Sequence, residues 1–217
     1  MKLATIAGLA VSLGGVALLA SPAVRVLGDP TRIRTRVLEQ LVLWLLLALV
    51  LGIALAWERA PLASLGLKRG WARSLALAAL LSCGVIWLVS PLALRLVAAF
   101  GLPSIGSRVA QFAALPIWLE ILSVVTAGVV EETLFRGYAL ERLAASFGSV
   151  WLAALLTWLC FTVVHWPVWG PGGVIVIACT GAVFTLFYVW QRDLVANVVA
   201  HVAVDAFGWI VVPLLWT

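Results

Sequence analysis

The chain holds 217 residues, of which 65% are apolar and only 11% charged, with a mean hydropathy of +1.17. A soluble domain of this length is about half apolar and about a quarter charged, so a water-soluble class is excluded and the chain reads as a multi-pass integral membrane protein. Its net charge of +5 follows from Lys and Arg in loops flanking membrane spans, which makes the lipid bilayer its partner and excludes nucleic acid.

The apolar runs are long and continuous, unlike the short alternating segments of a transmembrane barrel. The first window, about 3–20, lies in "MKLATIAGLAVSLGGVALLASPA". Lys2, an apolar stretch and small residues resemble a cleaved signal peptide, but the run is long enough to span and is read as a retained helix. A second window covers about 38–57, and the Pro- and Gly-punctuated basic stretch "ERAPLASLGLKRGWARS" after it is expected at the interface. Windows at about 74–99 and 113–131 follow, joined by "GLPSIGSRVAQ". Glu120, just after Pro116 and Trp118, reads as an interfacial residue. After the window at about 150–166, "HWPVWGPGG" is expected to break the helix past residue 165. The last windows are about 173–190 and 194–215, the latter one helix or two short ones broken near Gly208.

These segments predict an all-α polytopic transmembrane helix bundle of about seven to eight spans, with the active site inside it and a single domain over 1–217. Trp57, Trp71, Trp118, Trp151, Trp166 and Trp190 fall near the ends of the runs, where indole favours the headgroup interface. Cys83, Cys160 and Cys179 have no CxxC spacing and read as packing residues. With the N-terminus inside, eight Lys or Arg, Arg136 among them, fall on the inner side and six on the outer. That leans towards a cytoplasmic N-terminus in a plasma (inner) membrane.

Ionisable residues inside spans are the informative ones, because each costs roughly 2.5–3.5 kcal/mol at a helix centre. "TAGVVEETLFRGYALERL" places Glu131 beside Glu132 and Arg136 four residues after the second. Adjacent helical residues point about 100° apart, so the two acids face different surroundings. Glu132 and Arg136 have the favoured i, i+4 order of an intrahelical ion pair and are read as structural, which leaves Glu131 free. His165 closes "FTVVH", with Phe161 four residues earlier, and Asp193, Asn197, His201 and Asp205 recur at four-residue spacing. Such a polar stripe on an apolar helix should face the bundle interior. Asp193, next to the preceding connector, reads as a helix N-cap. One acid with two imidazoles can activate a water as general base with a polarising partner, or hold a Zn²⁺ with an open water position through Glu131, His165 and His201. Carboxylates and histidines in a bundle also serve proton relays. The alternative is therefore a non-enzymatic membrane protein, such as a proton-coupled transporter or an immunity or scaffold protein. No internal repeat of the transporter kind is present.

"EETLFR" (131–136), "FTVVH" (161–165) and "HVAVD" (201–205) resemble, in order, the EExxxR, FxxxH and HxxxN/D motifs of the CAAX prenyl protease and bacteriocin-processing (CPBP, or Abi) intramembrane metalloproteases. The resemblance covers about 113–208 as a catalytic core, leaving 1–112 as N-terminal spans and basic connectors; "SLGLKRGW" (64–71) is similar to a basic segment often found upstream in bacterial members. It implies an intramembrane endopeptidase acting on membrane-embedded or membrane-tethered, possibly lipidated, peptides or proteins. Glu131 would activate the attacking water, His165 would hold or polarise it, and His201 with Asp205 would stabilise the oxyanion. Glu132 and Arg136 would be structural, with Phe161 and Asn197 in support. Asp205 stands where prenyl-protein processing members carry Asn, and two acids near one site favour a bound cation or a shared proton.

Overall fold

The computed structural model describes residues 2–21, 27–29, 32–67 and 70–215. Lys68 and Arg69 of the basic segment, and Arg25 of the charge count, lie outside the described residues. The described chain is all helix and turn, without strands. In chain order the helices are α1 (Leu3–Leu19), α2 (Ile33–Trp57), α3 (Trp71–Ala99) and the short α4 (Gly106–Ala113). Then come α5 (117–147), α6 (Val150–Val164), α7 (Trp166–Gln191) and α8 (Leu194–Leu215). Among the described residues, α2, α3, α7 and α8 are long and apolar enough to cross a membrane, and α1 and α6 are shorter apolar helices. The protein is an integral membrane protein.

The chemistry of each end explains where the helices stop. Ser149 caps α6 by accepting from the Leu152 N–H, and Asp193 caps α8 by accepting from the Ala196 N–H at 3.0 Å and from Ser74 Oγ at 2.7 Å. Gly148, at φ 67°, lets α5 reverse into α6. The Pro- and Gly-rich stretch after His165 does not open into a loop. Only Gly170 leaves helical geometry (φ 66°, ψ −175°), and helix continues on both sides of it. Pro167 sits in the first turn of α7, where its missing N–H costs nothing. Nor does α8 break at Gly208; it passes through a π-helical turn at Phe207–Val211.

Helix α5 is the axis of the bundle. Nearly every residue from Val130 to Leu140 is buried, so this stretch meets protein on all sides. Its middle, Ala127–Leu140, is bonded i→i+5, a rare geometry that concentrates at functional sites. Trp44 Nε1 donates to Thr126 Oγ1 at 3.0 Å and Tyr138 Oη to Glu58 at 2.9 Å, so α2 runs parallel to α5. Ser12 Oγ donates to the Leu134 carbonyl at 2.7 Å and Thr5 Oγ1 to Glu58 at 2.9 Å, so α1 runs antiparallel. Gly128 permits the close crossing of α8: a Cβ there would stand 3.1 Å from the Val202 backbone N and 3.2 Å from the Val198 carbonyl.

The outer surface is apolar, with large side chains such as Leu80, Trp87 and Val163 facing out. Outside a membrane so large an apolar surface would drive association. All six tryptophans placed near span ends are exposed at helix termini, where indole partitions to the headgroups. Two expectations need correction. Glu120 is buried, at 5% exposure, rather than facing the headgroups, because α2 and α8 pack against that end of α5. Arg136 is buried at 1%, so it is no loop cation and its removal weakens the charge bias towards a cytoplasmic N-terminus.

Candidate active site

The adjacent acids have different surroundings. Glu132 is fully buried and accepts from three side chains: Arg136 Nη1 at 3.0 Å, His201 Nδ1 at 2.8 Å and Asn197 Nδ2 at 3.0 Å. The first is the i, i+4 pair within α5; the other two cross from α8. Arg136 is satisfied in turn, donating through Nη2 to the Gly181 carbonyl at 3.2 Å and to Thr185 Oγ1 at 3.3 Å on α7. Its guanidinium carbon lies 4.2 Å from the centre of the Phe161 ring on α6. Three helices are thus fastened to α5 through one buried ion pair, which offsets the cost of burying each charge.

Glu131 points the other way. It lines a cavity of ≈ 820 Å³ together with His165, His201 and Asp205. Glu131 Oε2 stands 3.7 Å from His165 Nε2, beyond a direct hydrogen bond but within reach of one bridging water. His165 Nδ1 donates to the Phe161 carbonyl at 2.6 Å, and its ring lies 4.6 Å from the Phe161 ring, so its orientation is set from α6. Across the cavity, His201 is held on both sides. Its Nδ1 donates to Glu132, its Nε2 is 3.4 Å from Asp205 Oδ2, and its ring stacks on Phe184 at 5.3 Å.

The structure therefore gathers Glu131, His165, His201 and Asp205 around one cavity, and places Glu132, Arg136, Phe161 and Asn197 behind them. Sequence reasoning did not find that Glu132 also anchors His201, nor that Gly181 and Thr185 complete the shell of Arg136. Only the four-residue spacing of Asn197 and His201 hinted at the first, and nothing in the sequence marks the second. Catalytic zinc needs about three protein ligands at about 2.0–2.2 Å. Among the described residues, no three His, Cys, Asp or Glu side chains are grouped to hold a metal ion. As placed, Glu131, His165 and His201 do not form a ready zinc cage.

Residues 113–207 match the family model described as type II CAAX prenyl endopeptidase, Rce1-like. This part of the chain is similar to Rce1-like domains. Every residue of the cavity cluster, and of the buried shell behind it, lies within the match. No curated protein and no solved structure matches the chain. That similarity supports an intramembrane protease of the CAAX type.

Proposed function

We propose that the protein is an intramembrane endopeptidase in which Glu131 and His165 together activate a water that attacks a peptide bond. Supporting this is the 3.7 Å gap between Glu131 Oε2 and His165 Nε2 at the wall of the cavity. Because His165 Nδ1 donates to the Phe161 carbonyl, a neutral His165 presents a lone pair at Nε2. One water can then donate to Glu131 and to His165 at once, turning an oxygen lone pair towards the substrate carbonyl.

Glu131 takes a proton as the water oxygen bonds to the carbonyl carbon. The carbonyl oxygen becomes an oxyanion facing His201; with Nδ1–H engaged by Glu132, a proton shared between His201 Nε2 and Asp205 supplies the donor. Asp205, 3.4 Å away, orients that edge of the ring. As the C–N bond breaks, the proton on Glu131 passes to the leaving amine, giving an amine and a carboxylic acid that then ionises to water. No step needs a metal. The substrate class is a membrane-tethered peptide or protein tail, with CAAX-type lipidated tails the first to test, and the apolar wall formed by Leu43, Leu115, Val164 and Ile177 suits aliphatic chains.

The test is cleavage of a farnesylated, fluorescent decapeptide ending in Cys-aliphatic-aliphatic-Ser by protein in lipid nanodiscs, with the cut located by mass spectrometry. Glu131→Gln should lower kcat/KM by about 10²–10⁴-fold while leaving the unfolding temperature within about 2 °C of wild type. Equal cleavage by wild type and Glu131→Gln would remove Glu131 as the base. Activity that survives exhaustive chelation supports the metal-free form; loss that zinc restores assigns a metal role instead.

A further inference from the structure

A cavity inside a bilayer that takes up a peptide must also satisfy its backbone. Each residue brings an N–H and a C=O, and neither finds water in an apolar surround. Glu131, His165, His201 and Asp205 attend to one peptide bond, so the rest of the bound chain needs other partners. Much of the wall offers none, being formed by side chains such as Leu43, Leu115, Val164 and Ile177. Gln40 interrupts it.

Gln40 lies on α2, outside residues 113–207, and is only 9% exposed. Among the described residues its amide makes no hydrogen bond. The occluded polar atoms without a partner are Arg36 Nε, Thr162 Oγ1 and Asn197 Oδ1. Neither amide atom of Gln40 is one of them, because the group opens into the cavity that Gln40 lines. A buried amide held open in this way has both a donor and an acceptor to give.

Ser123 of α5 stands at the same level. Trp44 Nε1 donates to Thr126 Oγ1 between the parallel helices α2 and α5. Gln40 is four residues before Trp44 and Ser123 three before Thr126, so each lies about one turn, about 5 Å, from that contact. Ser123 also lines the cavity. The hydroxyls of Ser82, Thr133, Thr157 and Thr185 turn back onto the carbonyl four residues earlier. Ser123 makes no such bond among the described residues, which leaves a second polar group free at this level. Glu131 is eight residues further along α5, about 12 Å at helical rise, so a group held here is clear of the reacting bond.

We propose that Gln40 binds the backbone of the substrate, pairing its side-chain amide with the N–H and C=O of one extended residue away from the cut bond. This rests on the proteolytic reading of the same cavity. In an extended chain the N–H and C=O of one residue point to the same side, as in the paired residues of an antiparallel ladder. The Gln40 Nε2 donates to that C=O and Oε1 accepts from that N–H. Such a contact holds the chain without reading its side chains. A lipid ester offers carbonyls alone and would use half of the amide; a peptide uses both halves.

The experiment reads binding, so it does not depend on turnover. Glu131→Gln protein in phosphatidylcholine nanodiscs is titrated by anisotropy with the farnesylated decapeptide, with empty nanodiscs as background. A set of depsipeptides replaces each backbone N–H in turn with an ester oxygen. At least one ester should weaken binding about fivefold or more. Adding Gln40→Met, which keeps the length and removes both polar atoms, should weaken the parent peptide about fivefold or more. In that variant the sensitive ester should cost less than about twofold further. Tm should stay within about 2 °C of the Glu131→Gln protein, because Gln40 bonds no other residue. The proposal is overturned if the decapeptide does not bind above background or if no ester weakens it, the latter leaving a lipid carbonyl as the occupant. It is also overturned if every ester penalty survives in Gln40→Met, or if Tm falls further than that, which would place the partner of Gln40 within the protein. Absence of cleavage by wild type would sink the proposed function while leaving this binding result intact.

Discussion

Glu132→Gln tests whether the buried acid is structural. The substitution keeps the shape and removes the charge. Glu132 accepts from Arg136, His201 and Asn197 at 2.8–3.0 Å. A glutamine has one acceptor oxygen and turns an NH₂ towards donors, so at least one of these contacts becomes donor against donor. Arg136 is left buried with the Gly181 carbonyl, Thr185 Oγ1 and the face of Phe161, all neutral. Breaking a buried pair by removing one partner costs about 3–5 kcal/mol. For a chain of this length that corresponds to a fall in Tm of about 6–20 °C.

The assay is thermal unfolding in detergent or nanodiscs, with wild type, Glu132→Gln, Arg136→Gln and the double variant side by side. The double variant should be less destabilised than the sum of the singles, since it leaves no unpaired buried charge. A Tm for Glu132→Gln within about 2 °C of wild type would refute the reasoning, as would strict additivity in the cycle.

Gly128→Val places a branched side chain against the Val202 backbone N and the Val198 carbonyl; it should cost about 1–3 kcal/mol and, by pushing α8 off α5, lower cleavage along with Tm. Glu58, at the end of α2, is tied by Arg142 at 2.8 Å and by Thr5 and Tyr138 at 2.9 Å. Burial pushes its carboxyl up, but these hydrogen bonds and the Arg142 charge outweigh it and hold the group below the ordinary 4.5. A carboxyl lowered on folding contributes stability that is full above the unfolded value and is lost as pH falls through the folded one. Glu58→Gln should therefore lower Tm at pH 7 and narrow its gap to wild type below about pH 4.5. A gap unchanged down to pH 3 would contradict this.

The all-helical membrane class was legible because apolar runs of spanning length have few alternatives. The Glu132–Arg136 contact was legible because four residues along a helix lie on one face, and a π-helical widening of the turn does not move them apart. Contacts between helices were not legible. Whether His201 meets Glu132 depends on where α8 crosses α5, and that crossing is set by Gly128 against Val202, which no local pattern reveals. Arg136 was counted with loop cations, and Glu120 with the interface, for one reason. Both lie near an end of an apolar window, and the sequence does not show that α5 continues through them to residue 147, surrounded by other helices. The Pro- and Gly-rich run after His165 does interrupt the helix, as its composition implies: α6 ends at Val164 and Gly170 leaves helical geometry. Composition did not show that the residues between are themselves helical.

His201 belongs to both halves of the site, since Glu132 holds its Nδ1 while its ring lines the cavity with Asp205. Changes at Glu132 therefore cannot be purely structural in their effect: weakening the buried network also frees the imidazole to rotate. Among the described residues Glu131 makes no hydrogen bond to α8; its neighbour is His165, held from α6 by the Phe161 carbonyl. The two acids should consequently separate in kinetics. Glu131→Gln removes the chemical step from a stable protein, whereas residual activity in Glu132→Gln should decline further with temperature as the α5–α8 contact loosens. A temperature dependence of kcat identical to wild type in Glu132→Gln would show that His201 is positioned by Asp205 and Phe184 alone.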